Sequence, residues 1–212
     1  MKWYRLTATN TQSLGYRCFR TMAALLPSRG PSAGAFGFRM NPRSFAVSLF
    51  ERDQFMREMT SALAGARAGS GSIVLVCGEA GIGKTALVDR FAQEAVVAGC
   101  SCLRGACDAF FTPRVLGPLF DFARHAGGRF EETAQANPDR ERLFSMLLNE
   151  LHHSRGTAVI VEDVHWADEA TLDMLRFLAR RIREAAAVLV ITYRDDELPP
   201  RHPLRALLGV LP

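Results

Sequence analysis

The chain lacks any long hydrophobic run. Its longest apolar stretch, Ala185 to Ile191, is strand length. A helical membrane span needs roughly 18 apolar residues, so none is expected. No Cys-x-x-Cys pair occurs among Cys18, Cys77, Cys100, Cys102 and Cys107. Cys100-x-Cys102 is followed by no second ligand pair at metal-site spacing. The thiols are therefore expected to be reduced core or strand residues of a cytosolic protein, cytoplasmic in location. The first 50 residues contain no acid at all, against seven Lys or Arg. No internal repeat is visible.

The remainder is ordinary for a globular domain, with 48% hydrophobic and 23% charged residues. The net charge of +4 belongs to the head, because residues 51–212 hold 19 of the 26 basic residues and all 22 acids. That balance removes the simplest argument for nucleic-acid binding by the folded part. The reading is a disordered basic head, residues 1–48, followed by one domain, residues 49–212. The head mixes Ser, Thr, Gly, Pro and Arg without a sustained period. A disordered tail, an organellar transit sequence and an over-extended translation start all remain open for it. Ala23-Ala24-Leu25-Leu26 is too short for a secretory core.

The most informative motif is Gly78-Glu79-Ala80-Gly81-Ile82-Gly83-Lys84-Thr85, which matches the phosphate-loop pattern G-x-x-x-x-G-K-[ST]. Glycines let the backbone curl so that successive N–H groups face phosphate oxygens. A helix starting at the loop adds its positive end. Lys84 is expected to reach the terminal phosphates and to face solvent in the empty site. The Thr85 hydroxyl is expected to hold Mg²⁺. Residues Gly78 to Ala86 form the expected nucleotide cradle. The context fits: Ser72 to Cys77 reads as a buried parallel strand, and Ala86 to Ala98 as a helix closed by Gly99.

Along the chain, Glu51 to Ala66 reads as a helix and Ser101 to Arg104 as a second strand. Leu116 to Ala126 reads as a third helix, broken by Gly127-Gly128. Asn137-Pro138-Asp139 reads as an N-cap with proline in the first turn, opening a helix to about His152. Ala158 to Val161 is a third strand, Asp168 to Arg183 a helix with Asp168 as its N-cap, and Ala187 to Thr192 a fourth strand. Strands alternating with helices imply an α/β fold, a parallel sheet wrapped on both faces.

The third strand ends in Glu162-Asp163. Ligands in open parallel sheets bind at such C-terminal ends. Glu162 is expected to hold Mg²⁺ and Asp163 to orient water. His165 is either a packed surface histidine or a neighbour of the γ-phosphate. Arg194, just past the fourth strand, either senses the γ-phosphate or pairs with Asp195 or Asp196. Acid pairs of this kind more often run Asp then Glu, so the inverted order predicts slow hydrolysis at best.

Three segments then carry a family resemblance: the phosphate loop, Glu162-Asp163-Val164-His165-Trp166-Ala167-Asp168-Glu169-Ala170-Thr171, and Thr192-Tyr193-Arg194-Asp195-Asp196-Glu197-Leu198. Together they resemble the ATP-binding domain of large LuxR-type transcriptional regulators, a signal-transduction branch of AAA-like P-loop ATPases similar to origin-recognition ATPases. Gly105-Ala106-Cys107-Asp108 and Thr112 to Leu119 fit the same family. So does the entry Leu49-Phe50-Glu51-Arg52-Asp53, where the resemblance puts Arg52 near the nucleotide. It implies a P-loop three-layer sandwich and an ATP- and Mg²⁺-dependent switch. It also implies self-association through the ATPase domain, with DNA binding by a C-terminal element. No such element is read within these residues, and neither the fifth sheet strand nor the helical lid is read before Pro212. The chain is thus expected to be an N-terminal fragment of a longer product or a truncated relative. The first strand would then be an exposed edge, prone to aggregation unless covered by the head around Ser44 to Leu49. Rival readings are a non-hydrolysing ATP-binding module, a non-functional remnant and a small-molecule kinase.

Overall fold

The computed structural model describes residues 2–5, 17–20, 53–110, 114–136 and 138–211. In the head, strands β1 (Lys2–Arg5) and β2 (Arg17–Arg20) pair antiparallel. Arg52, the segment Ser44 to Leu49 and the boundary near residue 48 lie outside the described residues.

The domain then alternates helix and strand: α1 (Asp53–Arg67), β3 (Ser72–Cys77), α2 (Lys84–Val97), β4 (Ser101–Ala106), α3 (Gly117–Ala126), α4 (Gly128–Gln135), α5 (Arg140–His153), β5 (Thr157–Glu162), α6 (Glu169–Ala179), β6 (Ala187–Tyr193) and α7 (Pro203–Leu208). Single 3-10 turns lie at Val164–Trp166 and Ile182–Glu184. The four domain strands form one parallel sheet in the order β3-β6-β5-β4. Every residue of β3, β5 and β6 is buried, as expected for strands covered on both faces. Among the described residues, β6 is the only ladder partner of β3.

Alternation along each strand sorts the side chains into two cores. Ile73, Leu75, Val159, Val161, Leu189 and Ile191 pack with Leu119, Phe122, Leu147 and Leu175 from α3, α5 and α6. Val74, Val76, Ala158, Ile160, Val188 and Val190 pack with Met59, Leu63, Leu87 and Phe91 from α1 and α2. This is the expected α/β three-layer sandwich. The alternation also has a functional consequence: Glu162 and Thr192 continue the series that faces α2, the helix following the phosphate loop.

Several boundaries differ from the sequence expectation. The cap of α5 is Asp139, whose carboxylate accepts from the Arg142 N–H at 2.7 Å, so Pro138 precedes the helix and is not in its first turn. Residues 128–135 form α4, which the sequence does not announce. Helix α6 stops at Ala179 and the chain tightens into the 3-10 turn before β6. Val96, in the last turn of α2, is exposed.

Candidate nucleotide site

The loop between β3 and α2 has the backbone that its glycines permit. Gly81 and Gly83 take φ of +73° and +91°, in the left-handed region that a Cβ disfavours. Helix α2 starts without a side-chain cap, and its first backbone bond runs from Leu87 N–H to Gly83 C=O. The N–H groups of Lys84, Thr85 and Ala86 thus precede the helical ladder and have no acceptor within it. Such a helix start favours an anion.

Lys84 is not solvent-facing as expected. It is buried, and its Nζ donates to Gly78 C=O at 2.7 Å and Glu79 C=O at 3.0 Å. The loop is thereby folded around its own ammonium. Burial pulls the Lys84 pKa below its usual value. The nearby Arg194 charge adds to that effect and Asp163 opposes it. Lys84, Arg194 and Asp163 therefore share one electrostatic neighbourhood.

The two acids at the end of β5 are held differently. The Glu162 carboxylate is buried against Arg104 of β4, whose Nε and Nη2 both reach Oε1, at 2.6 and 2.5 Å. Arg104 Nη1 also reaches Asp89 Oδ1 of α2 at 2.6 Å. Both contacts to Glu162 fall on one oxygen, so the pair does not use Oε2. Asp163 takes a left-handed backbone, φ +53°, and its N–H donates to the buried Thr192 Oγ1 at 3.0 Å. A non-glycine residue in that region is strained and persists only where its surroundings fix it. Thr192 supplies that fixing from the neighbouring strand. Sequence reasoning missed Arg104 and Thr192 as site residues. Each sits one or two residues before a strand end on the α2 face, a signal that strand alternation does contain.

Register places Tyr193 opposite Cys77, so Arg194 follows directly beside the start of the loop. Arg194 pairs through Nη1 with Glu197, not with Asp195 or Asp196. Its guanidinium lies 5.1 Å from the Trp166 ring centre. Its Nε is buried and, among the described residues, makes no hydrogen bond. His165 is not a surface residue: its side chain is fully buried. His165 Nε2 lies 3.3 Å from Glu197 Oε2, close enough for attraction. Among the described residues, however, neither ring nitrogen makes a hydrogen bond. Burial pulls the His165 pKa below its usual value, against Asp163 and Glu197.

Asp168 caps α6 as expected. It accepts from Thr171 N–H at 3.1 Å and from the Thr171 hydroxyl, and it also accepts from Leu116 N–H at 3.3 Å. It thus ties the start of α3, where Leu116 has φ +55°, to the end of the segment carrying the acids.

The phosphate loop, the buried lysine and the acids at the end of β5 all fall within one family match. The AAA ATPase domain model covers residues 48–191. This chain belongs to the AAA ATPase domain family. Its members are nucleotide-binding P-loop ATPases, and nucleotide binding follows for this domain. Among curated relatives, an uncharacterized protein of Rhizobium meliloti (strain 1021), R02095, is 27% identical over 77% of this chain. The match takes up 20% of the relative, so the chain spans about a fifth of its length. Among solved structures, the Aeropyrum pernix ORC2 protein, studied as ADPNP–ADP complexes, superposes with a TM-score of 0.54 at 17% identity. That match covers 79% of this chain and 46% of ORC2. Drosophila ORC bound to AT-rich DNA and Cdc6 matches over 76% of this chain and 53% of that one, at 17% identity and a TM-score of 0.46. The ORC2 likeness shows the shared AAA fold.

Proposed function

We propose that this AAA domain binds ATP with Mg²⁺, turns it over slowly or not at all, and serves as the nucleotide switch of a LuxR-type transcriptional regulator in the cytoplasm. The observation that carries the binding part is the buried Lys84 ammonium, held inside a glycine loop at a helix start and sharing a neighbourhood with Arg194. Donors of that kind fit a triphosphate. Lys84 would exchange two loop carbonyls for phosphate oxygens, a charge-assisted bond of the stronger class. The N–H groups from Gly81 to Ala86 would line the phosphates, with Gly78, Glu79 and Ala80 forming the outer turn. The family resemblance would also put Arg52 near the nucleotide.

The donor set also fits Mg²⁺, a hard cation that takes oxygen ligands. Thr85 Oγ1 and Glu162 would hold it, and Mg²⁺ there supplies charge neutralisation of the phosphates. Asp163, its backbone fixed by Thr192, would orient water, and Arg194 would read the third phosphate. The Arg104–Glu162 pair favours a second reading, in which ATP is held without turnover, because the metal acid is already engaged. The phosphate-bound state would then favour contact with a second copy of the domain.

Two measurements test the proposal, and any turnover at all would decide against the second reading. Calorimetric titration with ATP in Mg²⁺ and then in a chelator is expected to show tighter binding with the metal. Multiple-turnover hydrolysis is expected to stay well below about 10 per second, near the enzyme median. Equal affinity with and without Mg²⁺ would overturn the metal assignment. Turnover at that median would overturn the switch reading.

A further inference from the structure

Arg194 lies beside the phosphate loop but is already occupied. Its Nη1 is paired with Glu197, three residues on. Glu197 in turn is contacted by two side chains of the site, Arg194 and His165, the latter at 3.3 Å. The hydrogen bond from Arg194 holds the Glu197 carboxyl below its usual pKa, with smaller contributions from His165 and Trp166. Among the described residues, Arg194 Nε makes no hydrogen bond, and neither does the buried His165 ring. The arrangement therefore contains one acid, two cationic or potentially cationic groups that both face it, and unused donors on each.

Resting on the nucleotide reading above, we propose that Glu197 tunes discrimination between ATP and ADP by competing with the third phosphate for Arg194. In the nucleotide-free protein Glu197 draws Arg194 away from the loop mouth. A nucleoside triphosphate supplies a more highly charged acceptor and takes Arg194 over. His165 and Trp166 then remain beside Glu197, so its carboxylate is not left alone. A nucleoside diphosphate does not reach Arg194, and the Arg194–Glu197 pair stays closed. Glu197 is thus a specificity-determining residue that acts through Arg194 and need not touch the nucleotide.

The test is a double-mutant cycle on the full chain, titrating ATP·Mg and ADP·Mg against wild type, Glu197→Gln, Arg194→Ala and the double variant. Thermal unfolding of each variant confirms that it folds. An exposed pair of this kind is worth a small factor, so Glu197→Gln is expected to raise ATP affinity about two- to fivefold. ADP affinity is expected to stay unchanged. Arg194→Ala should lower ATP affinity towards that of ADP, and Glu197→Gln should then have no further effect. Glu197→Asp, which keeps the charge, should restore the wild-type ATP/ADP ratio. An unchanged or lower ATP/ADP ratio in Glu197→Gln, or an effect that persists without Arg194, would overturn the competition while leaving nucleotide binding intact. Failure of wild type to bind either nucleotide would overturn both.

Discussion

At the residue scale, Asp168 links two strained or orphaned pieces of backbone. It accepts the Thr171 N–H in the first turn of α6 and also the N–H of Leu116, whose left-handed conformation opens α3. Loss of a capping carboxylate costs about 0.5–2 kcal/mol, and the second acceptor role should place this site at the upper end. Asp168→Ala is therefore expected to lower stability by about 2 kcal/mol in urea unfolding, with Asp168→Asn recovering most of it. Equal stability of Asp168→Ala and wild type would show that water replaces the carboxylate without cost. The capping role was legible because Asp168 precedes an apolar stripe and an acidic first turn. Its bond to Leu116 was not, since the partners lie 52 positions apart. The same limit hid Arg104, 58 positions from Glu162, and the choice of Glu197 over Asp195 or Asp196 for Arg194. Acids at several spacings can serve an arginine; only side-chain direction selects one.

At the scale of elements, the strand–loop–helix unit was readable because its signals agree: a buried apolar strand, glycines at the turn and a helix closed by glycine. Helix α4 was not, because Phe130 and Ala134 are its only buried residues and the two preceding glycines read as a break. Past the early stop of α6 the chain packs closely on a glycine. Gly71 lies against the chain from Ile182 to Ala187, where an added Cβ would sit 1.8 Å from Ile182 C=O. The close approach lies in the 3-10 turn and the start of β6, past the end of α6, and the apolar stripe continues to the buried Ile182. A similar approach fixes β4 to α3. A Cβ on Gly105 would meet the Pro118 Cα at 2.6 Å, backbone that cannot move freely. Gly105→Ala is expected to cost about 1–3 kcal/mol, the usual range for overpacking. It should also disturb nucleotide binding, because β4 carries Arg104, which holds Glu162 of β5. Chemical unfolding combined with ATP titration would check both; a variant as stable as wild type would mean that α3 shifts without strain.

At the scale of the whole molecule, two cores flank a sheet whose charged residues, Arg104 and Glu162, lie near the C-terminal end of their strands. Cys77 and Cys107 lie at that end, and both thiols are pushed up to about 12. Burial is the main cause in each, with Asp195 adding to Cys77 and Asp168 to Cys107. The unfolded thiols ionise from about 9, so the folded state holds protons that the unfolded state releases. This contribution to stability is complete below that pH and is lost as pH rises from about 9 towards 12. Urea unfolding between pH 8 and 10.5 should show a fall in stability that is shallower in Cys77→Ala. An identical slope in that variant would assign the fall to other groups. Neither thiol should react with a thiol reagent before unfolding, since the thiolate is the reactive form.

The central claim is that the buried Lys84 ammonium is the nucleotide-binding charge. Calorimetric titration of ATP·Mg into wild type and Lys84→Ala, with thermal unfolding of both, tests it most directly. Charged hydrogen bonds contribute about 1.5–3 kcal/mol, so Lys84→Ala should bind ATP about ten- to a hundredfold more weakly. Its unfolding midpoint should stay close to that of wild type, because the two loop bonds lost are offset by removing a buried charge. Undiminished ATP affinity in a folded Lys84→Ala variant would contradict the account.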